Sequence, residues 1–169
     1  AGRLDAFRCG PEDQAMAIAL TLKDYLDKNC VLYDTVQHRK TGCSAETAEA
    51  SHVPCDRLAK GVLVKRRGGF LLAVLPASRH IELADLGHWL RQPVGLATED
   101  EIAEIFDDCA RGAVPALATP YGVKAVVDQS LSSQPDIYFE GGDHCTLVHL
   151  DGRSFDRLMT KVPDARFGW

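Results

Sequence analysis

Two apolar segments joined by a short turn constrain the fold of this chain more than any other part of its sequence. Residues 58–64 are rich in valine and leucine, residues 66–69 are two arginines followed by two glycines, and a second apolar run covers 70–75. Short aliphatic runs on either side of a glycine-containing turn are typical of a β-hairpin. We therefore expect two antiparallel strands, at least half buried, near the centre of the molecule.

A single lysine, Lys60, lies inside the first of these apolar runs. An ammonium group on an apolar strand must reach water, pair with an acid or meet an anionic ligand, because an isolated buried charge is costly. Its aliphatic stem can also cover apolar surface while the charge reaches solvent. From the residues alone, both a solvent-directed lysine and an anion-binding lysine remain open.

Helical and strand patterns alternate irregularly along the rest of the chain. A capping box formed by Thr98 and Glu101 begins the best-defined helix, and Gly112 is well placed to end it. The glycines and prolines of 112–122 predict a loop. We therefore expect an α/β fold with a mixed sheet on which helices pack. Other helices are predicted at 13–28, 45–51, 81–91 and 154–159, and other strands at 31–38, 123–127, 137–139 and 144–150.

Length and charge limit the classes of function. The 169 residues are enough for one domain with a true core, which we place at 16–169, and residues 1–15 are either a native extension or an added sequence. The formal net charge of −5 gives no overall attraction to nucleic acid, so DNA is not an expected partner and any RNA contact must be local.

The chain contains neither an apolar run of about 20 residues nor the ordered regions of a signal peptide, so we expect a cytoplasmic protein without a membrane partner. Its six cysteines form no CxxC pair and are expected to be reduced and mostly buried. Cys55, close to His52, is the one local candidate for a thiol nucleophile, but packing is the favoured interpretation.

The histidines do not predict a metal site. His144 and His149 share one predicted strand, on which they point to opposite faces, so they cannot bind one metal ion together. His38 and His52 border polar loops. His144 follows two glycines and Asp143 at a strand start, where its side chain either faces a cleft or bonds to its own loop.

Three segments, taken in order, resemble the YbaK/prolyl-tRNA-synthetase-associated domain family. They are residues 57–64, the glycine- and proline-rich loop after the capped helix, and the sequence Tyr-Phe-Glu-Gly-Gly-Asp-His at 138–144. The resemblance extends from about Met16 to Phe167. It implies a mixed, mostly antiparallel sheet with packed helices and a ligand cleft, and an activity that requires neither a metal nor a cofactor.

That family includes aminoacyl-tRNA deacylases that act in trans on mischarged tRNA and the editing domain of bacterial prolyl-tRNA synthetases. The resemblance places the family's strand lysine at Lys60 and its loop glycine at Gly112. The family's proline, four positions after the glycine, corresponds here to Ala116, and the adjacent proline is Pro115.

The resemblance therefore implies a hydrolase that cleaves the ester of tRNA mischarged with a small amino acid. Lys60 and Gly112 are the expected catalytic residues. Mischarged tRNA is the expected partner, together with a synthetase or an elongation factor. Two alternatives remain open: a non-catalytic module that binds tRNA or a synthetase, favoured by the changed proline spacing, and a small-ester hydrolase, favoured by the acidic charge. The residues expected to line the substrate cleft are His144, His52, His38, Pro115 and Asp143.

Overall fold

Two β-sheets that pack through a shared core form the framework of the protein. The computed structural model describes residues 18–169. The helices are α1 (Leu20–Lys28), α2 (Ser44–Ser51), α3 (Leu83–Leu90), α4 (Glu99–Ile105) and α5 (Gly152–Leu158). The strands are β1 (Asp34–Gln37), β2 (Ala59–Arg66), β3 (Gly69–Pro76), β4 (Gly95–Leu96), β5 (Lys124–Asp128), β6 (Asp136–Glu140), β7 (Thr146–Asp151) and β8 (Asp164–Ala165).

The strand order is β1-β7-β6 in the smaller sheet and β4-β2-β3-β5-β8 in the larger one. The pairs β3–β5 and β5–β8 are parallel, and the other strand pairs are antiparallel. The predicted class, a mixed and mostly antiparallel α/β fold with packed helices, is therefore confirmed. The prediction differs in one respect, since the strands divide into two sheets.

The predicted central hairpin is present as β2 and β3, and Lys60 pairs with Leu75 in its register. Gly68 and Gly69 form the turn with φ angles of 81° and 135°, values that favour glycine because it lacks a Cβ atom. The strands are buried because residues from both sheets and from α1 enclose them. This main core includes Leu22, Leu63, Leu72, Phe139 and Val148.

Several predicted boundaries shift. The capping box is confirmed, with Thr98 Oγ1 accepting from Glu101 N at 3.2 Å and Glu101 Oε2 accepting from Thr98 N at 2.8 Å. Gly112, however, does not end this helix, because α4 stops at Ile105 and the chain leaves through turns before it reaches Gly112. The first helix begins at Leu20, and the predicted positions 13–17 lie outside the described residues.

The cysteines are less buried than the sequence predicted. Cys30 and Cys43 are exposed, and the other described cysteines are only partly buried. Cys55 packs beside the cluster of Ala48, Val53 and Leu58, which agrees with its expected packing role. No helix within residues 18–169 has the length and apolar character needed to span a membrane.

A backbone bridge joins the two sheets and positions the candidate site. Leu58, just before β2, forms a parallel bridge with Tyr138 of β6. Helix α2 covers this junction through a small apolar cluster that includes Ala48, Leu58 and Leu147. The start of β2 and the end of β6 therefore converge beneath α2.

Candidate active site

A cavity of about 80 Å³ lies where β2, β6, α2 and the loop after α4 meet. Four of its lining residues are candidates for catalysis or substrate binding: Lys60, Gly112, Glu140 and His144. Three of these four were predicted from the sequence. The fold thus brings together residues that are up to 84 positions apart in the chain.

Lys60 contributes a half-buried ammonium group to this cavity. Burial lowers its pKa, because removal from water disfavours the charged form, while the nearby thiols of Cys43 and Cys55 act in the opposite direction. Within residues 18–169, no carboxylate oxygen lies within 4.0 Å of its Nζ atom. Lys60 is therefore available to an anionic or strongly polarised ligand.

Gly112 and His144 lie next to each other in the lining. Gly112 has a φ angle of 80°, and a Cβ atom added there would lie 3.3 Å from His144 Cε1. The His144 backbone is also left-handed, with φ of 63°, and its Nε2 bonds to the carbonyl oxygen of Arg111. The histidine therefore bonds to a distant loop, which holds its ring against Gly112.

Further backbone contacts fix this loop to the rest of the site. Ala110 N donates to Gly142 O at 2.7 Å, so the loop after α4 is attached to the turn that carries His144. On its other side, the carbonyl oxygen of Pro115 lies 3.2 Å from the position a Gly61 Cβ would take. The buried Pro115 therefore packs closely against β2, because Gly61 has no side chain there.

Glu140 is the functional candidate that sequence reasoning missed. It ends β6, lines the cavity, and one of its carboxylate oxygens, Oε2, is buried without a hydrogen-bond partner. Burial raises its pKa to about 7, nearby Asp143 adds to the rise, and His144 and Thr47 oppose it. A carboxyl group in this environment is half ionised near neutral pH.

A sequence signal for Glu140 did exist. It belongs to the segment 138–144 that carried the family resemblance, and it alternates with the buried Ile137 and Phe139. Glutamates are rarely buried unless they are paired. What the sequence could not indicate is that the outward face of β6 is covered by α2.

Three polar residues expected to line the cleft lie outside the lining of the cavity. Asp143 accepts from Cys145 N, Thr146 N and Thr146 Oγ1 at 2.7–2.9 Å, so its carboxylate stabilises the turn before β7. His52 is the exposed left-handed residue that ends α2. His38 bonds through Nδ1 to the Arg39 carbonyl at 2.7 Å. None of the three lines the cavity, and neither does Pro115, so the predicted binding roles of all four stay predictions.

His149 of β7 and His144 of the preceding turn lie in different surroundings. His149 Nε2 lies 2.8 Å from Asp136 Oδ1, and its ring stacks on Tyr138, whereas His144 faces the cavity. In the part of the chain from residue 18 onward, no group of three or more histidine, cysteine or acidic side chains is arranged to hold a metal ion.

Comparison with known protein families identifies the domain. The model of the aminoacyl-tRNA editing domain matches residues 38–158, which include the whole cavity lining. The chain belongs to this aminoacyl-tRNA editing domain family. No curated protein sequence matches the chain significantly.

Solved structures share the fold of this editing domain. A structure named "putative trans-editing enzyme for prolyl tRNA synthetase" has a TM-score of 0.74 and 18% identity, over 96% of this chain and 99% of that one. Hypothetical protein APE2540 gives a TM-score of 0.77 and 22% identity, over 88% of this chain and 99% of that one. At these identities the similarity establishes the fold alone.

A longer protein contains the same fold. A signal transduction protein, so named, from Marinobacter aquaeolei VT8 matches with a TM-score of 0.73 and 17% identity, over 88% of this chain but 30% of that one. The editing-domain fold therefore occurs both as most of a chain and as part of a larger one.

Proposed function

We propose that this protein is an aminoacyl-tRNA deacylase that hydrolyses the ester of tRNA mischarged with a small amino acid. The observation that carries the proposal is the convergence of Lys60, Gly112, Glu140 and His144 on one small cavity, within a domain of the editing family. An ester between an amino acid and ribose is already activated, so its hydrolysis needs positioning and charge stabilisation more than a strong nucleophile.

Lys60 would stabilise the negative charge that develops on the ester carbonyl oxygen during attack by water. A fixed, partly desolvated ammonium interacts more strongly with such a charge than it would in bulk water. The loop at Gly112 would fix the aminoacyl group, since its contacts with His144 and Gly142 hold it in one conformation. Such pre-organisation avoids the cost of rearranging polar groups during the reaction.

Glu140 would act as the general base. In its ionised form the carboxylate accepts a proton from the attacking water, whose oxygen forms the new bond to the carbonyl carbon. The bond from that carbon to the ribose oxygen then breaks, and the ribose oxygen takes the proton. A pKa of about 7 suits this role, because general bases are most effective when their pKa lies near the working pH.

The cavity dimensions support a small aminoacyl side chain. The volume of about 80 Å³ is well below the roughly 300–1,000 Å³ of pockets that enclose drug-sized ligands, so the site suits a group of a few heavy atoms. Alanine, serine and cysteine fit this limit. Larger side chains would be rejected by steric overlap, whereas smaller ones lose only about 1–3 kcal/mol per missing methylene.

A second candidate function is a non-catalytic module that binds tRNA, a synthetase or an elongation factor. The observation that favours it is the occupant of the family's proline position, Ala116, which is fully buried in the core instead of shaping the cavity. In that case the cavity would bind an aminoacyl end without cleaving it.

The test is release of amino acid from a panel of tRNAs charged with small residues, comparing the native protein with Lys60→Ala. Turnover by the native protein and its loss in a folded variant would support the deacylase and would identify the preferred amino acid. Equal rates would remove Lys60 from the mechanism. Absence of turnover on every tRNA by the native protein would favour the binding module.

A further inference from the structure

A groove lined by cationic side chains lies at the far end of β2 from Lys60. Its volume is about 1060 Å³, and four basic residues line it: Arg66, Lys124, Arg157 and Lys161. Among the described residues no aspartate or glutamate lines it. This local excess of positive charge contrasts with the formal net charge of the chain, which is −5.

The four cations are not neutralised by the protein itself. From residue 18 to the C-terminus, none of them lies within 4.0 Å of a carboxylate oxygen. Arg66 Nε is buried and has no hydrogen-bond partner. Buried donors in proteins are nearly always paired, so this nitrogen belongs to a guanidinium group that the protein leaves partly unsatisfied.

Aromatic side chains lie in the same groove. Trp89 of α3 is 43% exposed, and both Trp89 and Tyr25 of α1 line the groove. An exposed tryptophan next to cations is typical of surfaces that bind unpaired nucleotides, because bases stack on the ring while phosphates meet the charges.

The distance to the active-site cavity also fits an RNA strand. Lys60 and Arg66 are six residues apart on β2, which corresponds to about 20 Å, and both side chains leave the strand on the same face. A stacked nucleic-acid strand advances about 3.4 Å per nucleotide, so about six nucleotides cover this distance. An ester bound at Lys60 therefore leaves its attached strand within reach of the groove.

We propose that this groove binds the phosphodiester backbone near the acceptor end of the tRNA whose aminoacylated terminus enters the Lys60 cavity. The proposal rests on the proposed deacylase function. It also supplies a local RNA contact, which is the kind of contact that the acidic composition allows. The arginines would bind phosphate oxygens through paired N–H groups, and the lysines would contribute point charges.

Binding of uncharged tRNA tests the groove without any chemistry. The proteins are the native form, Arg157→Gln, the matched control Arg153→Gln on the same helix, and the triple variant Lys124→Gln/Arg157→Gln/Lys161→Gln. Arg153 is exposed but does not line the groove. Dissociation constants are measured between about 50 and 200 mM salt, the range in which phosphate contacts change affinity most clearly.

We expect the triple variant to bind about tenfold or more weakly at low salt, and the slope of log affinity against log salt to fall by about 2 to 3. Arg157→Gln should weaken binding and Arg153→Gln should not. Equal affinities and slopes in the native and triple-variant proteins would overturn the proposal. It would also be overturned if the native protein bound phosphatidylglycerol vesicles through these residues and did not bind tRNA.

Turnover separates failure of the groove from failure of the deacylase. The triple variant should lose efficiency on charged tRNA but cleave alanyl-adenosine, which lacks the rest of the strand, at the native rate. Equal loss on both substrates would contradict a tRNA-binding groove. If the native protein cleaves neither substrate, the deacylase proposal fails. The measurements with uncharged tRNA then decide by themselves whether the groove binds tRNA.

Discussion

Lys60 and Glu140 line one cavity, each two residues beyond the partners of the parallel bridge between Leu58 and Tyr138. This register brings a cation and an anion to the same place from two different sheets. Within residues 18–169 their side chains form no ion pair with each other, so both remain available to a ligand. Such an arrangement costs folding free energy, and groups perturbed in this way are concentrated at functional sites.

Replacement of Lys60 by methionine should reduce kcat/KM for charged tRNA by about 10²- to 10³-fold, the usual effect of removing one group that stabilises a developing oxyanion. Methionine preserves most of the side-chain volume, so the fold should persist. The matched control is Lys65→Met on the same strand, because Lys65 pairs with Glu101 at 2.7 Å and does not line the cavity.

The control should keep native turnover and lose at most about 1 kcal/mol of stability, since exposed ion pairs contribute little. Steady-state kinetics and thermal unfolding of both variants provide the comparison. If Lys60→Met and Lys65→Met retain the same activity, Lys60 has no role in the reaction.

Replacement of Gly112 by alanine should lower turnover through its contact with His144. The positive φ angle of 80° alone should cost about 1–3 kcal/mol of folding stability, and the added Cβ would lie 3.3 Å from His144 Cε1. Gly122→Ala is the matched control, because Gly122 has a similar φ of 71° but no atom within 4 Å of its added Cβ.

Both glycine variants should therefore unfold at lower temperature than the native protein, while Gly112→Ala alone loses activity on alanyl-adenosine. Thermal unfolding and kinetics on that short substrate separate the two effects. The same loss of activity in both variants would mean that backbone strain, and not the contact with the histidine, is responsible.

The sequence predicted those parts of the fold that depend on local patterns. The hairpin followed from two aliphatic runs around Gly68 and Gly69, and the start of α4 followed from Thr98 and Glu101, because both signals are complete within a few residues. Gly112 was assigned to the end of α4 because glycine ends many helices. It instead lies in a loop next to His144, an arrangement that only the tertiary structure brings about.

A site residue could be predicted from the sequence only where its residue type was unusual for the local structure. Lys60 was conspicuous as a charge within an apolar strand, whereas Glu140 directly follows the predicted strand at 137–139, where a charged residue is not unusual. The groove could not be predicted at all, since Arg66, Lys124 and Arg157 come from separate elements of an acidic chain. Positions of this kind depend on how the sheets and helices pack.

Replacement of Glu140 by glutamine should change how activity depends on pH. As a general base, Glu140 must be ionised, so native kcat/KM should rise with pH and level off above its pKa of about 7. Glutamine cannot accept the proton, and the variant should lose about 10²-fold or more at the plateau and lack the rise near pH 7. The exposed Glu104→Gln is the matched control. A pH profile of Glu140→Gln that parallels the native one would assign the titration to another group.

The same substitution should stabilise the fold at high pH. Burial raises the pKa of Glu140 from 4.5 to about 7, so the folded state disfavours the ionised form. Below about pH 4.5 the carboxyl is neutral in both folded and unfolded chains, and its contribution to stability is fully present. As the pH rises through about 7, the native protein should lose up to about 3 kcal/mol.

Glutamine stays neutral throughout this range, so the free energy of unfolding of Glu140→Gln should exceed the native value increasingly between about pH 4 and about pH 8. Urea unfolding at several pH values measures this difference, with Glu104→Gln following the native curve. The opposite trend, in which the variant becomes relatively less stable as the pH rises, would mean that the Glu140 carboxylate is paired in the folded protein. Its place as a free base in the cavity would then be lost.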